Sequence, residues 1–223
     1  MSACAVSASG DRSPLERFTL SCARSDEERA GMASFRRQLF LDRRSVAFDE
    51  LLEARRDRDG HLFLLTEGAL PVATGRVLAY PSRLSPVLGL GQELGAAGAD
   101  SEVGRIAAAR STGGIRASLI LLTLGSIWLL RQSGHRRYVA YCHPKLLDLY
   151  RAVGAEDLGI SCAVPGRSDE HRIVSGTYEQ AAARGARLLG VSEAQAQRSI
   201  RFDGLWLVRE GRGGAQQAVG SSS

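Results

Sequence analysis

Residues 102–159 read EVGRIAAARSTGGIRASLILLTLGSIWLLRQSGHRRYVAYCHPKLLDLYRAVGAEDLG. Glu102 to Ala109 has strand character and runs into the small, polar turn Arg110-Ser111-Thr112-Gly113-Gly114. An apolar helix follows, with the chain's longest apolar run, Ala117 to Leu130, then a short strand, HRRYVAYC. His143-Pro144 starts a further helix that carries Tyr150 and stops at Gly154. A strand that passes through glycines into a helix N-terminus exposes backbone N–H groups, which suit a pyrophosphate or phosphopantetheine group. The same turn is also compatible with a plain strand-to-helix connection. It is not a P-loop, because the lysine and its spacing are missing.

Working outward, Glu16 to Ala23 reads as a first strand, and Ser25 caps a helix with Asp26, Glu27 and Glu28 in its first turn. Met32, Phe35, Leu39 and Phe40 give that helix an apolar face. A second helical piece is expected over Ser45 to Arg55, broken by Asp57-Arg58-Asp59-Gly60. HLFLLTEG (61–68) and LPVATGRVLAY (70–80) form a hairpin turning at Gly68. Residues 81–100 are a long connection rich in Gly and Ala. Beyond Gly159 come strands at SCAVPG and HRIVSG, a helix from Thr177 to Leu189, a short helix at Ser192–Ser199 and a last strand at 204–211. The expected organisation is one domain over 15–210 between disordered tails at 1–14 and 211–223. Strands alternating with helices around one core make the fold class α/β.

The chain has 223 residues, 44% apolar and 24% charged, which is the balance of a globular protein. Its net charge of +5 comes almost wholly from arginine, since Lys145 is the only lysine. That surface suits acidic partners. Cys4, Cys22, Cys142 and Cys162 show neither metal spacing nor a dense disulfide pattern, so a reduced, cytoplasmic setting is expected. The start of the chain lacks a signal-peptide pattern. The Ala117–Leu130 run is shorter than the roughly 20 residues that span a bilayer, and it reads as a buried helix rather than a transmembrane segment.

Several chemistries fall away. Cys142 and His143 are neighbours on a strand, so they face opposite ways and cannot form a dyad. His61, His135 and His171 have no ligand spacing, and no metal is expected. Arg131, Arg136, Arg137, Lys145 and Arg151 make a basic group that matches no nucleic-acid-binding motif. It is either a solvated face or a docking patch for an acidic acyl carrier protein.

The order of elements over 102–159 resembles the cofactor-binding half of the GNAT acyltransferases. Arg110 and Gly113 fit that family's glycine pattern, with Ile115 where it has Gly or Ala. His143-Pro144, Tyr150 and Gly154 resemble its block after the fifth strand. Upstream, Arg36 with Phe40, the acidic pair Asp57 and Asp59, Arg76, and Glu102 with Arg105 resemble the signature of the long-chain N-acyl amino acid synthases. More distantly they resemble that of the acyl-homoserine-lactone synthases. The tryptophan expected after Phe40 in the lactone synthases is absent, and the acidic pair is one residue closer than theirs.

The resemblance implies a mixed, twisted sheet flanked by helices, and a bacterial acyltransferase. It would move a fatty acyl group from acyl-phosphopantetheine on a carrier protein, or from acyl-coenzyme A, to the amine of an amino acid or related small molecule. Glu102 would take the amine proton and Tyr150 would protonate the thiolate. Ile106, Ala107, Ala108, Arg110, Gly113, Gly114 and Arg116 would hold the acyl thioester, with a backbone N–H near 106–108 polarising its carbonyl. The small residues 107–109 and the helix around 119–128 would line an acyl tunnel. Arg36, Phe40, Asp57, Asp59, Arg76 and Arg105 would bind the acceptor or brace the N-terminal helices. Two alternatives stand beside this: an acetyl-coenzyme A-dependent N-acetyltransferase, and a non-catalytic acyl-thioester-binding module of the same fold.

Overall fold

Seven strands form one sheet in the order β1-β2-β3-β4-β5-β7-β6. The strands are β1 (Phe18–Cys22), β2 (His61–Glu67), β3 (Leu70–Ala79), β4 (Ser101–Ala108), β5 (Arg137–Cys142), β6 (Glu156–Ala163) and β7 (Glu170–Thr177). The helices are α1 (Asp26–Arg44), α2 (Glu50–Asp59), α3 (Gly114–Gln132), α4 (Leu147–Ala152), α5 (Tyr178–Leu188) and α6 (Glu193–Gln197). This computed structural model describes residues 13–44, 50–82, 98–109, 113–163 and 170–201. The expected tails, the strand at 204–211, most of the 81–100 connection and Arg110 lie outside the described residues.

All strand pairs are antiparallel except β4 with β5. That parallel pair needs a crossover, and α3 supplies it, as the apolar run between two strands requires. Alternation along each strand sorts the side chains into two faces. Phe63, Leu65, Val103, Tyr138 and Ala140 join α3, α4 and α5 in the main core. Leu62 meets Met32 of α1 on the other face, and Val139 packs with Cys162 and Ile173. Helix α3 is long and apolar enough to cross a bilayer by length and composition, yet Ala117, Ile120, Leu121, Leu124, Ile127 and Leu129 are buried in this core.

Three elements differ from expectation. Helix α2 runs through Asp57 to Asp59 instead of breaking before them. Basic residues in its last turn, Arg56 and Arg58, favour the helix C-terminus, and Gly60 then ends it. Strand β6 starts five residues earlier than SCAVPG suggests, at Glu156. The short segment after α6 adds a parallel bridge to the β1 edge through Leu20 and Ile200.

Helices α3 and α5 meet at Gly185, where an added Cβ would clash with Thr123 Oγ1. Thr123 is fully buried, and its hydroxyl donates 2.8 Å to the Leu119 carbonyl, so it has little freedom to yield. Gly185→Ala is therefore expected to lower stability by about 1–3 kcal/mol despite its better helix propensity. Thermal denaturation checks this, and Gly185→Ala with Thr123→Ala should recover part of the loss.

Candidate functional site

The site begins with an irregularity in β4. Arg76 pairs with Gly104 and Thr74 with Ala107, so β4 carries one more residue than β3 over that interval. Arg105 takes up the difference with φ 55°, the left-handed region that a long side chain rarely adopts. The bulge reverses the facing of everything after it. Val103 lies in the main core, but Arg105 and Ala107 turn to the α1–α2 face, where Ala107 packs on Leu39 and Phe40. Strict alternation would have driven Arg105 into the apolar core with Val103.

Arg105 finds a partner there. Its Nε and Nη2 donate to the two oxygens of Glu53 at 3.2 and 2.8 Å, and its guanidinium lies 5.8 Å from the Phe40 ring centroid. Arg76 Nη1 bridges Glu53 Oε2 at 2.9 Å and Asp57 Oδ1 at 2.8 Å. Arg36 Nη2 donates to Asp57 Oδ2, and Arg56 Nη1 reaches Glu53 Oε1 at 3.4 Å. Arg36, Glu53, Arg56, Asp57 and Arg76 are all buried. Burial alone would raise the Glu53 carboxyl. The Arg105 hydrogen bonds and the charges of Arg76, Arg105 and Arg36 outweigh it and hold the carboxyl at about 2.

The expected acidic pair is thus corrected. Glu53 and Asp57, four apart on a helix, share the inward face, while Asp59 is exposed at the helix end. Arg76 and Arg105 tie α2 to the sheet through Glu53, and Arg76 also through Asp57.

Beyond the bulge the sheet opens. β4 and β5 pair only at Ser101–Tyr138, Glu102–Val139 and Val103–Ala140, although β4 runs on to Ala108 and β5 to Cys142. Ile106, Ala107 and Ala108 stand on this open stretch. Glu102 sits one rung before the opening, buried, and accepts a hydrogen bond from Ser82 Oγ. Its partners Leu78 and Val139 share its face, which is the α1–α2 face. Tyr150 belongs to the main core on the other face. Burial, then the neighbouring Cys142, Tyr138 and Tyr178, pushes its phenol well above the ordinary range, so it is protonated at neutral pH. Gly154 ends α4 with φ 96°, and the Ala155 N–H closes onto the Tyr150 carbonyl at 2.9 Å. Glu102 and Tyr150 thus lie on opposite faces of the sheet.

Helix α3 starts beside that gap. Gly113 is its N-cap in the left-handed region, with φ 68° and no side-chain cap, and its first turn holds no acid. An open hollow there is bounded by Gly113, Gly114, Arg116 and Leu119, with Leu188 and Leu189 opposite. Ile115 and Leu188 are exposed beside it. On the α3 face of the sheet a smaller apolar cavity of about 30 Å³ lies among Val103, Ile106, Leu121, Leu122 and Gly125. Ala107 and Ala109 do not line it, because the bulge turns them to α1. Of the expected basic patch, Arg131 faces Glu193 at 3.8 Å and Arg151 faces Asp157 at 3.2 Å, so part of it is neutralised.

No family model matches the sequence, and neither does any curated protein. Solved structures do match it in shape. FeeM, an N-acyl amino acid synthase from uncultured soil microbes, has a TM-score of 0.62 at 13% identity, over 75% of this chain and 94% of that one. The chain has the GNAT acyltransferase fold. BjaI, a coenzyme A-dependent acyl-homoserine lactone synthase, has a TM-score of 0.58 at 17% identity, over 78% and 90% of the two chains. An N-acetyltransferase structure from Lactobacillus plantarum has a TM-score of 0.55 at 16% identity, over 72% and 98%. The expected mixed sheet flanked by helices is therefore present, and at these identities the likeness is one of fold.

The depressed Glu53 carboxyl makes a pH prediction. Its folded value of about 2 lies below the ordinary 4.5, so its stabilisation is complete above pH 4.5 and is lost as pH falls toward 2. Glu53→Gln should cost about 3 kcal/mol or more at pH 7, because Arg105 loses both hydrogen bonds to this buried carboxylate and Arg76 loses one of its two. It should also flatten the acid limb of stability against pH. Denaturant unfolding at pH 7, 4 and 3 checks both.

Proposed function

We propose that the chain is an N-acyltransferase moving a fatty acyl group from a carrier-protein or coenzyme A thioester to the amine of an amino acid or related small molecule. The observation that carries this is the open β4–β5 gap with Glu102 on one side and Tyr150 on the other. The thioester enters with its phosphopantetheine arm from the α3 N-terminus, where free amides and Arg116 receive phosphate. Its carbonyl lies against β4 where that strand no longer pairs with β5, and a main-chain N–H near Ile106 stabilises the developing oxyanion. The neutral amine attacks the carbonyl carbon from the α1–α2 face and passes a proton to Glu102, directly or through water. The tetrahedral intermediate collapses, the C–S bond breaks, and the Tyr150 hydroxyl protonates the departing thiolate. The products are an amide and a free thiol.

The acyl chain extends into the α3-face cavity, where Gly125 has nothing within 4 Å of an added Cβ. A cavity of about 30 Å³ is small for a long chain, and this favours a second reading, transfer of a short acyl group from acetyl-coenzyme A. The two separate by chain length. Long acyl thioesters should be turned over at least tenfold more efficiently than acetyl-coenzyme A, and activity confined to acetyl-coenzyme A would overturn the fatty-acyl reading. Expression in a bacterium with mass spectrometry of lipid extracts should reveal a new N-acyl species and so identify donor length and acceptor together.

Tyr150→Phe and Glu102→Gln should each lower kcat by about 10²–10⁴-fold, with donor binding retained. Unchanged turnover in either variant would remove that residue from the mechanism. Gly125→Val should shift preference toward shorter acyl donors without abolishing the reaction with them.

A further inference from the structure

Of the 29 Lys and Arg residues, only Lys145 is a lysine. The difference is chemical as well as electrostatic. A guanidinium stays charged, whereas a lysine amine attacks a carbonyl carbon once it has lost its proton. Toward a bound acyl thioester the arginines are inert, and Lys145 carries the one side-chain amine that is not.

Its position matters as much. β5 pairs with β4 only as far as Ala140 but runs on to Cys142, so its last two residues border the open gap. One short helical turn, Pro144–Leu146, follows and leads into α4, which carries Tyr150. The turn is tied down by its first neighbour. His143 Nδ1 accepts the Lys145 N–H at 3.1 Å, and the His143 carbonyl accepts the Leu146 N–H at 2.8 Å. Lys145 is exposed on this turn. The nearest acid in sequence, Asp148, faces Arg151 at 3.8 Å. Among the described residues no carboxylate pairs with the Lys145 ammonium. The backbone is held, and the long side chain moves at the mouth of the gap.

We propose that Lys145 is a self-acylation site, taking the acyl group of a thioester bound in the gap when no acceptor amine is present. The inference rests on the acyl-transfer reading, which supplies the thioester. The ammonium gives one proton to water, and its nitrogen lone pair attacks the thioester carbonyl carbon. A C–N bond forms, the C–S bond breaks, and a further amine proton ends on the departing thiolate. The products are an acylated lysine amide and a free thiol. The change removes a positive charge from the mouth of the donor site, so it slows further capture of an anionic donor.

Incubation of the full chain with acetyl-coenzyme A, dodecanoyl-coenzyme A or a dodecanoyl-loaded carrier protein, without an amine acceptor, tests it. Loss of tryptic cleavage after Lys145 and a peptide mass raised by one acyl group should report the modification. The chain's α-amine in the same sample is the internal standard. Relative to it, Lys145 should be acylated at least tenfold faster in the folded protein than in guanidinium chloride. An equal ratio in the two would mean plain chemical acylation and would overturn the proposal. Lys145→Arg keeps the charge and should lose the modification. Thiol release on adding a panel of amino acids reads the acceptor reaction separately. Release with Lys145 unmodified would overturn self-acylation and leave acyl transfer standing, whereas silence in both assays with every donor would overturn both.

Discussion

The forked contact between Glu53 of α2 and Arg105 of β4 is the interaction on which the rest of the site depends. It joins a helix to the one described non-glycine residue with a positive φ, at the only bulge in the β3–β4 register. A left-handed arginine costs on the order of 1–3 kcal/mol and persists only where surrounding contacts fix it. Two hydrogen bonds to a buried carboxylate, with a phenylalanine ring beneath the guanidinium, are such contacts. Buried ion pairs are weak evidence of net stability, because desolvation offsets their attraction. Their value here is geometric. The pair selects the register in which Arg105 and Ala107 leave the apolar core and Ile106 enters it.

The open end of the sheet lies beside that bulge. Past Val103, β4 keeps its pairing with β3 but no longer pairs with β5, which leaves a gap on its β5 side. The two candidate proton-transfer groups are held by different means on different faces. Glu102 is kept by a hydroxyl hydrogen bond from Ser82. Tyr150 is kept by a six-residue helix whose end is set by Gly154, where a side chain would meet Gln180 and Arg184 of α5. Burial raises the phenol well above its ordinary range, so it keeps its proton at neutral pH and is a weaker acid than an exposed tyrosine. The fold thus holds these two candidate groups on opposite faces of the sheet whose β4 and β5 separate.

Much of this was legible in the sequence. The strand-helix-strand order of 102–159, the hairpin at Gly68, the capped start of α1 and the burial of α3 follow from periodicity and from Gly, Ser and Pro positions. The cluster residues Arg36, Asp57, Arg76 and Arg105 were marked by their resemblance to a family signature. What escaped has physical reasons. Glu53 was hidden because Asp57-Arg58-Asp59-Gly60 looks like a turn; once the helix is seen to continue, the four-residue spacing of Glu53 and Asp57 identifies the inward pair. The bulge has no composition of its own, since arginine is not a residue that announces a positive φ. β6 is an edge strand whose first residues are half-exposed and polar, so it lacks the apolar alternation that marks a strand. Contacts between distant segments, such as His61 edge-on to Trp128 and 6.0 Å from His135, leave no local trace at all.

The dependence of the site on one ion pair is most directly measured by a double-mutant cycle between Glu53→Gln and Arg105→Gln, read as unfolding free energy in denaturant. The account predicts strong coupling, about 2 kcal/mol or more, with the double variant far less destabilised than the sum of the two single changes. Additive effects, with coupling below about 0.5 kcal/mol, would mean that the bulge is held by something else and would contradict it.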